Sequence, residues 1–148
     1  MTSITKMTFV KLNIYKFHLV GFVTEYHAEI TAFGQSYSYS DEGLEISPIT
    51  NKDGIDGYTL VKSYSLGFSG LSEARFNTRH LPGLVESFTV DKYQLFLNNC
   101  RHFSLEMIKV LRPSRAEEGL WLLSQLNMMS QKINTIIDTG IVNTVRAI

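Results

Sequence analysis

The sequence predicts an α+β fold, with an antiparallel sheet from the N-terminal half and helices from the C-terminal half. Three patterns predict it: apolar–polar alternation between residues 8 and 39, helical spacing of apolar residues after Cys100, and the same spacing over residues 116–137. We expect the helix at Cys100 to pack against the sheet and to leave a cleft between the two.

The strands are predicted from alternation and from turn residues. Residues 8–17 alternate apolar with polar side chains, which indicates a half-buried strand. Gly34 predicts a turn that pairs a strand at 26–33 with one at 35–39. Two further strands are predicted at 44–46 and 58–66, with a turn at 41–43 and a loop at 51–57.

The first helices are predicted from capping and breaking residues. Ser72 is a candidate N-cap for a helix over residues 73–84, which Pro82 should break or end near residues 79–81. Residues 88–93 are ambiguous and are compatible with the start of a helix. A further helix starts at or near Cys100, and Pro113 ends its pattern.

The last predicted helix, over residues 116–137, is amphipathic. Its apolar stripe consists of Leu122, Leu126, Met129, Ile133 and Ile136, and Ile141, Val142 and Val145 would prolong it. Polar residues, among them Asn127 and Ser130, are assigned to the other faces. We expect this helix to pack on its own domain. The alternatives are contact with a partner or a second copy, or with a membrane surface.

Composition narrows the class of protein. The 148 residues suit one domain, and the balance of 14 basic against 14 acidic residues gives no basic patch for nucleic acid. The single cysteine cannot form an intrachain disulfide, which fits a reducing compartment. The cysteine and four histidines fit no zinc spacing, and we expect no cofactor. With no signal peptide or membrane span in the sequence, we expect a soluble cytoplasmic protein, with the nucleus as a second location.

Cys100 is the candidate nucleophile. At a helix start, the free N–H groups and the positive end of the helix dipole favour the reactive thiolate. The alternative is a structural role, because free cysteines are often buried as small apolar side chains.

A cysteine nucleophile needs a base, and His27, inside a predicted strand with a fixed side-chain direction, is the best candidate. A structural histidine is the alternative. Of the other histidines, His18 lies at a strand end and His80 at a loop or helix end. His102 is two positions after Cys100 and faces away from it on a helix.

The segment from Tyr93 to Glu106 resembles the cysteine motif of the PPPDE family, the permuted papain-fold peptidases that include the DeSI-type deSUMOylating isopeptidases. The matching residues are Tyr93, Leu95, Phe96, Asn99, Cys100, Phe103, Ser104 and Glu106. Weaker matches occur in the expected order, at Val10–Tyr15, at His27–Tyr37 and at Gly43–Ile46.

The resemblance implies a permuted papain-like fold over residues 1–113, with a helical extension over 114–148. It also implies that Cys100 is the nucleophile and His27 the general base of an isopeptidase acting on a ubiquitin-like modifier or its conjugates. Tyr93 and Asn99 would pack and hold the turn. Ser40-Asp41-Glu42-Gly43 departs from the family's glycine-rich segment, which could line the substrate channel.

Two alternatives remain open. Asn99-Cys100-Arg101-His102-Phe103 also resembles the signature of lecithin retinol acyltransferase-like proteins, which would imply a thioesterase or acyltransferase on lipid substrates. That group usually has a second histidine where this chain has Tyr39, and an acid where it has Arg101. The other alternative is a non-catalytic interaction module, with a partner or homodimer contact through residues 116–148.

Overall fold

The computed structural model describes residues 7–20, 23–49 and 57–138 of the chain. Within these residues, five strands form one antiparallel sheet in the order β4-β3-β2-β1-β5. The strands are β1 (Thr8–Val20), β2 (Val23–Ala32), β3 (Gln35–Ser40), β4 (Gly43–Pro48) and β5 (Thr59–Ser69). The predicted α+β class is confirmed, and each predicted strand is present. The loop predicted at 51–57 lies, except for its last residue, outside the described residues.

The β2–β3 hairpin turns at Phe33 and Gly34, which have φ angles of 53° and 71°. A two-residue turn with two positive φ angles matches the right-handed twist of the strands that it joins. The strands pair only from Ala32↔Gln35 to Ile30↔Tyr37. The part of β2 before Ile30 therefore pairs with β1 on one edge, and no strand of the described residues pairs with its other edge.

The helical segment after the sheet starts as predicted, is interrupted before Pro82, and resumes as a second α-helix. The Ser72 side chain caps α1 (Glu73–Arg75), and α2 (Leu81–Ser87) follows a π-helical turn at Phe76–His80. The predicted break near residues 79–81 is confirmed, because the π-helical turn ends at His80 and α2 begins at Leu81 as a new helix. In this wider turn the Leu81 N–H donates to the Phe76 carbonyl. Pro82 consequently lies in the first turn of α2, where the backbone N–H that proline lacks would have no partner within the helix. The ambiguous stretch before Tyr93 contains a short 3₁₀ turn at Val90–Lys92.

Two longer helices cover one face of the sheet. α3 (Cys100–Leu111) packs against β2 and β3, and α4 (Ala116–Asp138) packs against α3 and β5. The helix predicted to start at or near Cys100 and end before Pro113 is confirmed. The short segment between α3 and α4 also contacts β5. The N–H groups of Ser114 and Arg115 donate to the Phe68 and Leu66 carbonyls on the outer edge of that strand.

The core lies between the sheet and these helices. Its fully buried large side chains include Leu12, Ile30, Tyr37, Tyr39, Leu66, Phe76, Phe103, Met107, Ile108, Leu111 and Leu123. Alternation along β1 directs Val10, Leu12 and Ile14 into it, as the sequence predicted.

The buried face of α4 differs from the predicted stripe. Leu123 and Leu126 are buried together with the polar Asn127 and Ser130, whereas Met129 is exposed. The prediction was therefore wrong at Met129, and wrong in placing Asn127 and Ser130 on outer faces. The side chains of Ile133 and Ile136, and the residues from 139 on, lie outside the description. No helix in the described part of the chain combines the length and the apolar character needed to cross a membrane.

Candidate active site

The N-terminus of α3 is fixed by a capping arrangement centred on Asn99. Its Oδ1 accepts from the backbone N–H of Arg101 at 2.9 Å, and its Nδ2 donates to the Leu95 carbonyl at 2.6 Å. In return, His102 Nδ1 accepts from the Asn99 backbone N–H at 3.2 Å. These bonds satisfy donors that the helix leaves free at its start. Cys100 is consequently held as the first helical residue, and Asn99 has the turn-holding role that the motif implied.

His102 makes the stability of this cap depend on pH. Burial, and then the Arg101 charge, hold the pKa of His102 below its ordinary value, and a protonated Nδ1 could no longer accept from Asn99. The unfolded chain therefore binds the proton more readily, so stability falls as pH drops below about 6.5. We expect the urea midpoint to fall between pH 7 and 5.5, and to fall less in His102→Asn. An equal fall in His80→Asn and His102→Asn would contradict this prediction.

The first turn of α3 docks on the edge of β2 that has no strand partner. The Ala28 backbone N–H donates to Cys100 Sγ at 3.4 Å. The Arg101 guanidinium donates through Nη1 to the Tyr26 carbonyl. Two consecutive residues of α3 thus bind the strand on either side of His27, and they fix His27 relative to Cys100.

Cys100 and His27 line the same cavity, which has a volume of about 320 Å³. Aromatic side chains form much of its wall, together with polar groups at the β3 end: Phe17, Tyr26, Tyr39, Ser40, Asp41, Tyr58 and Tyr93. The His27 ring lies 5.1 Å from the Tyr58 ring and 6.1 Å from the Tyr15 ring, measured between centroids. The two residues that the sequence singled out therefore line one cavity, which lies where the start of α3 meets the edge of β2 rather than in a cleft between helix and sheet.

The thiol is less easily ionised than its place at a helix start suggested. Cys100 is only 4 % exposed, and burial raises the pKa of its thiol. The Arg101 charge and the Ala28 N–H act in the opposite direction, and Glu25 adds to the increase. Because burial is the largest of these effects, the helix start alone does not make Cys100 a thiolate, and ionisation requires a proton acceptor nearby.

A buried polar network adjoins Cys100, and two of its members, Arg101 and Glu25, also line the cavity. Arg101 Nη1 pairs with Glu25 Oε1 at 2.9 Å, and Arg101 Nε donates to Asn127 Oδ1 at 3.0 Å. Ser130 Oγ donates to Glu25 Oε2 at 2.8 Å. All four side chains are buried. We call this set, Arg101, Glu25, Asn127 and Ser130, the Arg101 network; it joins β2, α3 and α4.

Sequence reasoning missed this network, although two signals pointed to it. Glu25 precedes His27 by two positions and so lies on the same face of the strand. Asn127 and Ser130 are three positions apart and adjoin the buried face of α4. Neither signal identifies a partner, because both depend on contacts between residues far apart in the chain.

Of the other candidate residues, two histidines lie outside the cavity lining, whereas two tyrosines form part of it. His102 does not line the cavity, and His80 lies in the π-helical turn. The side chain of His18 is not among those that the structure describes. Tyr39, which stands where the acyltransferase signature has a second histidine, is buried and donates to the Thr89 carbonyl at 2.6 Å. Tyr93 packs against Tyr39, as expected, and lines the cavity.

Comparison with known proteins gives one family. The family model described as "PPPDE putative peptidase domain" matches residues 3–140, a span that includes both long helices. No curated protein matches the chain.

Proposed function

The chain belongs to the PPPDE peptidase-domain family, and from this premise we propose that it is a cysteine isopeptidase that cleaves at the end of a ubiquitin-like modifier. The observation that carries the proposal is the shared cavity of Cys100 and His27, between the start of α3 and the unpaired edge of β2. A nucleophile and a base on two rigid elements are what acyl transfer requires.

In the proposed mechanism, His27 takes the Cys100 proton as the sulfur attacks the carbonyl carbon of the scissile bond. The imidazolium then protonates the leaving amine, and the C–N bond breaks to give a thioester. Water attacks the thioester and gives a proton to His27. The C–S bond then breaks, the carboxylic acid leaves, and the imidazolium returns its proton to the sulfur, which restores the thiol and the neutral histidine. The Cys100 backbone N–H has no carbonyl partner within α3, and we propose it as one oxyanion donor.

The shape of the cavity supports a slender substrate. Cys100 is almost fully buried, and the aromatic rings of Tyr26, Tyr58 and Tyr93 line its approach. We propose that the carbonyl reaches the sulfur on an extended segment with small side chains. The C-terminal tail of a modifier, which projects from its globular part, is such a segment.

The proposal is tested by incubating the protein with fluorogenic amides of several ubiquitin-like modifiers. We expect one of them to be hydrolysed, and Cys100→Ala to be inactive. An electrophilic probe built on the C-terminus of the same modifier should form one adduct, at Cys100, by mass spectrometry. Equal hydrolysis by the wild type and Cys100→Ala would refute the proposal, whereas an acyl adduct formed from a lipid thioester would favour the acyltransferase alternative.

One observation favours a second candidate, the interaction module. Trp121 is 66 % exposed on α4, and Met128 and Met129 are also exposed. We propose this face of α4 as the place where a partner or a second copy would bind. If neither the modifier probes nor lipid thioesters modify Cys100 at all, the module becomes the better reading.

A further inference from the structure

The Arg101 network is placed so that it can hold the two proposed catalytic residues in fixed positions relative to each other. Its central side chain follows Cys100 directly in sequence and is bonded to the backbone immediately before His27. Cys100 itself is bonded to the backbone immediately after His27. Any change in the position of Arg101 therefore shifts β2 relative to the sulfur.

The network extends this constraint to α4. Asn127 holds the guanidinium at Nε, and Ser130 holds the carboxylate that faces it. Neither residue of α4 lines the cavity, so neither can contact a substrate there. Arg101 and Glu25 are both buried, so water could not replace the hydrogen bonds between their charged groups if the pair separated. The pair therefore keeps one geometry.

We propose that Arg101, Glu25, Asn127 and Ser130 are positioning residues, which hold His27 in place relative to Cys100. Through Asn127 and Ser130, α4 contributes to the active site. The inference rests on the proposed function for its kinetic test, but not for its chemical test. It assigns a role to residues that the cysteine–histidine pair does not explain.

The kinetic test compares three conservative variants with a matched control. Arg101→Lys keeps the charge but loses the planar fork, Asn127→Ala removes the Nε acceptor, and Ser130→Ala removes one hydroxyl. Ser124→Ala removes the same hydroxyl from an exposed position of α4. We expect kcat for a modifier amide to fall about 10- to 100-fold in Arg101→Lys, and less in the α4 variants, with KM within about threefold. Ser124→Ala should match the wild type.

The chemical test needs no substrate. The rate of Cys100 alkylation by iodoacetamide is measured against pH, and we expect its midpoint to move upwards in the three variants but not in Ser124→Ala. If the wild type hydrolyses no modifier amide, the proposed function fails and this profile alone decides the inference. Should Arg101→Lys fail to fold, Ser130→Ala and Asn127→Ala provide the comparison.

A merely structural role makes a different prediction. It would lower the thermal midpoint of the variants and leave kcat and the alkylation profile of the folded protein unchanged. That result, in variants with a wild-type circular dichroism spectrum, would overturn the inference. Recovery of the wild-type profile in Ser130→Thr, which restores the hydroxyl, would support it further.

Discussion

Replacing His27 by alanine should lower kcat for a modifier amide at pH 7 by about 10²- to 10⁴-fold, the range of a general acid–base contribution. Cys100→Ala should fall to the uncatalysed background, since no nucleophile remains. Because the two side chains act as a unit, the double variant should be no worse than Cys100→Ala alone. Steady-state hydrolysis at saturating substrate measures all three.

The large loss of kcat expected in His27→Ala follows from the environment of the Cys100 sulfur. Burial raises the pKa of the Cys100 thiol, so little thiolate exists at neutral pH without a nearby base. In His27→Ala, the alkylation of Cys100 should therefore require a higher pH than in the wild type.

His80→Ala is the matched control, because it removes a histidine from the π-helical turn, outside the cavity. If His27→Ala and His80→Ala had the same kcat, His27 would have no catalytic role.

Glu25→Ala should reduce the free energy of unfolding by about 3–5 kcal/mol, which is the usual cost of leaving one partner of a buried ion pair alone. The variant leaves the Arg101 charge without its carboxylate where the Arg101 side chain is 1 % exposed, and it removes the closer of the two acceptors of Ser130 Oγ. Urea denaturation of the wild type and the variant measures the difference.

The control is the surface ion pair of Arg115 and Glu118. Arg115 Nη2 lies 3.2 Å from Glu118 Oε2, and each side chain is 58 % exposed. Glu118→Ala should cost less than about 1 kcal/mol, because solvent already screens that pair. Replacing both members of the buried pair, in Glu25→Leu with Arg101→Met, should recover most of the loss. A loss below 1 kcal/mol in Glu25→Ala would show that the buried pair is not needed for stability.

The local structure around the site was predictable because short-range patterns determine it. Alternation places Val10, Leu12 and Ile14 on one face of β1, whatever the rest of the chain does. The helical spacing of apolar residues after Cys100, which Pro113 ends, predicts α3 in the same way. Pro82 predicted the break before α2, but not its form, because a π-helical turn depends on packing, which a single breaking residue does not reveal.

The stripe on α4 shows why amphipathic periodicity can mislead. Periodicity ranks side chains by polarity, so it assigned Met129 to the core and Ser130 to the surface. The opposite holds, because Ser130 finds a carboxylate at 2.8 Å on a strand 105 positions earlier in the chain. A polar side chain is buried readily when a charged partner is already buried beside it.

The sequence by itself determined the order of strands and helices, the start of α3 at Cys100, and the pair of residues worth testing. These features follow from propensities and spacings within a few positions of each other. Only the tertiary structure decided how strongly the thiol resists ionisation, and that Glu25, Arg101, Asn127 and Ser130 meet beside it. Desolvation and ion pairing depend on which distant segments exclude water together, and no local pattern in the chain encodes that.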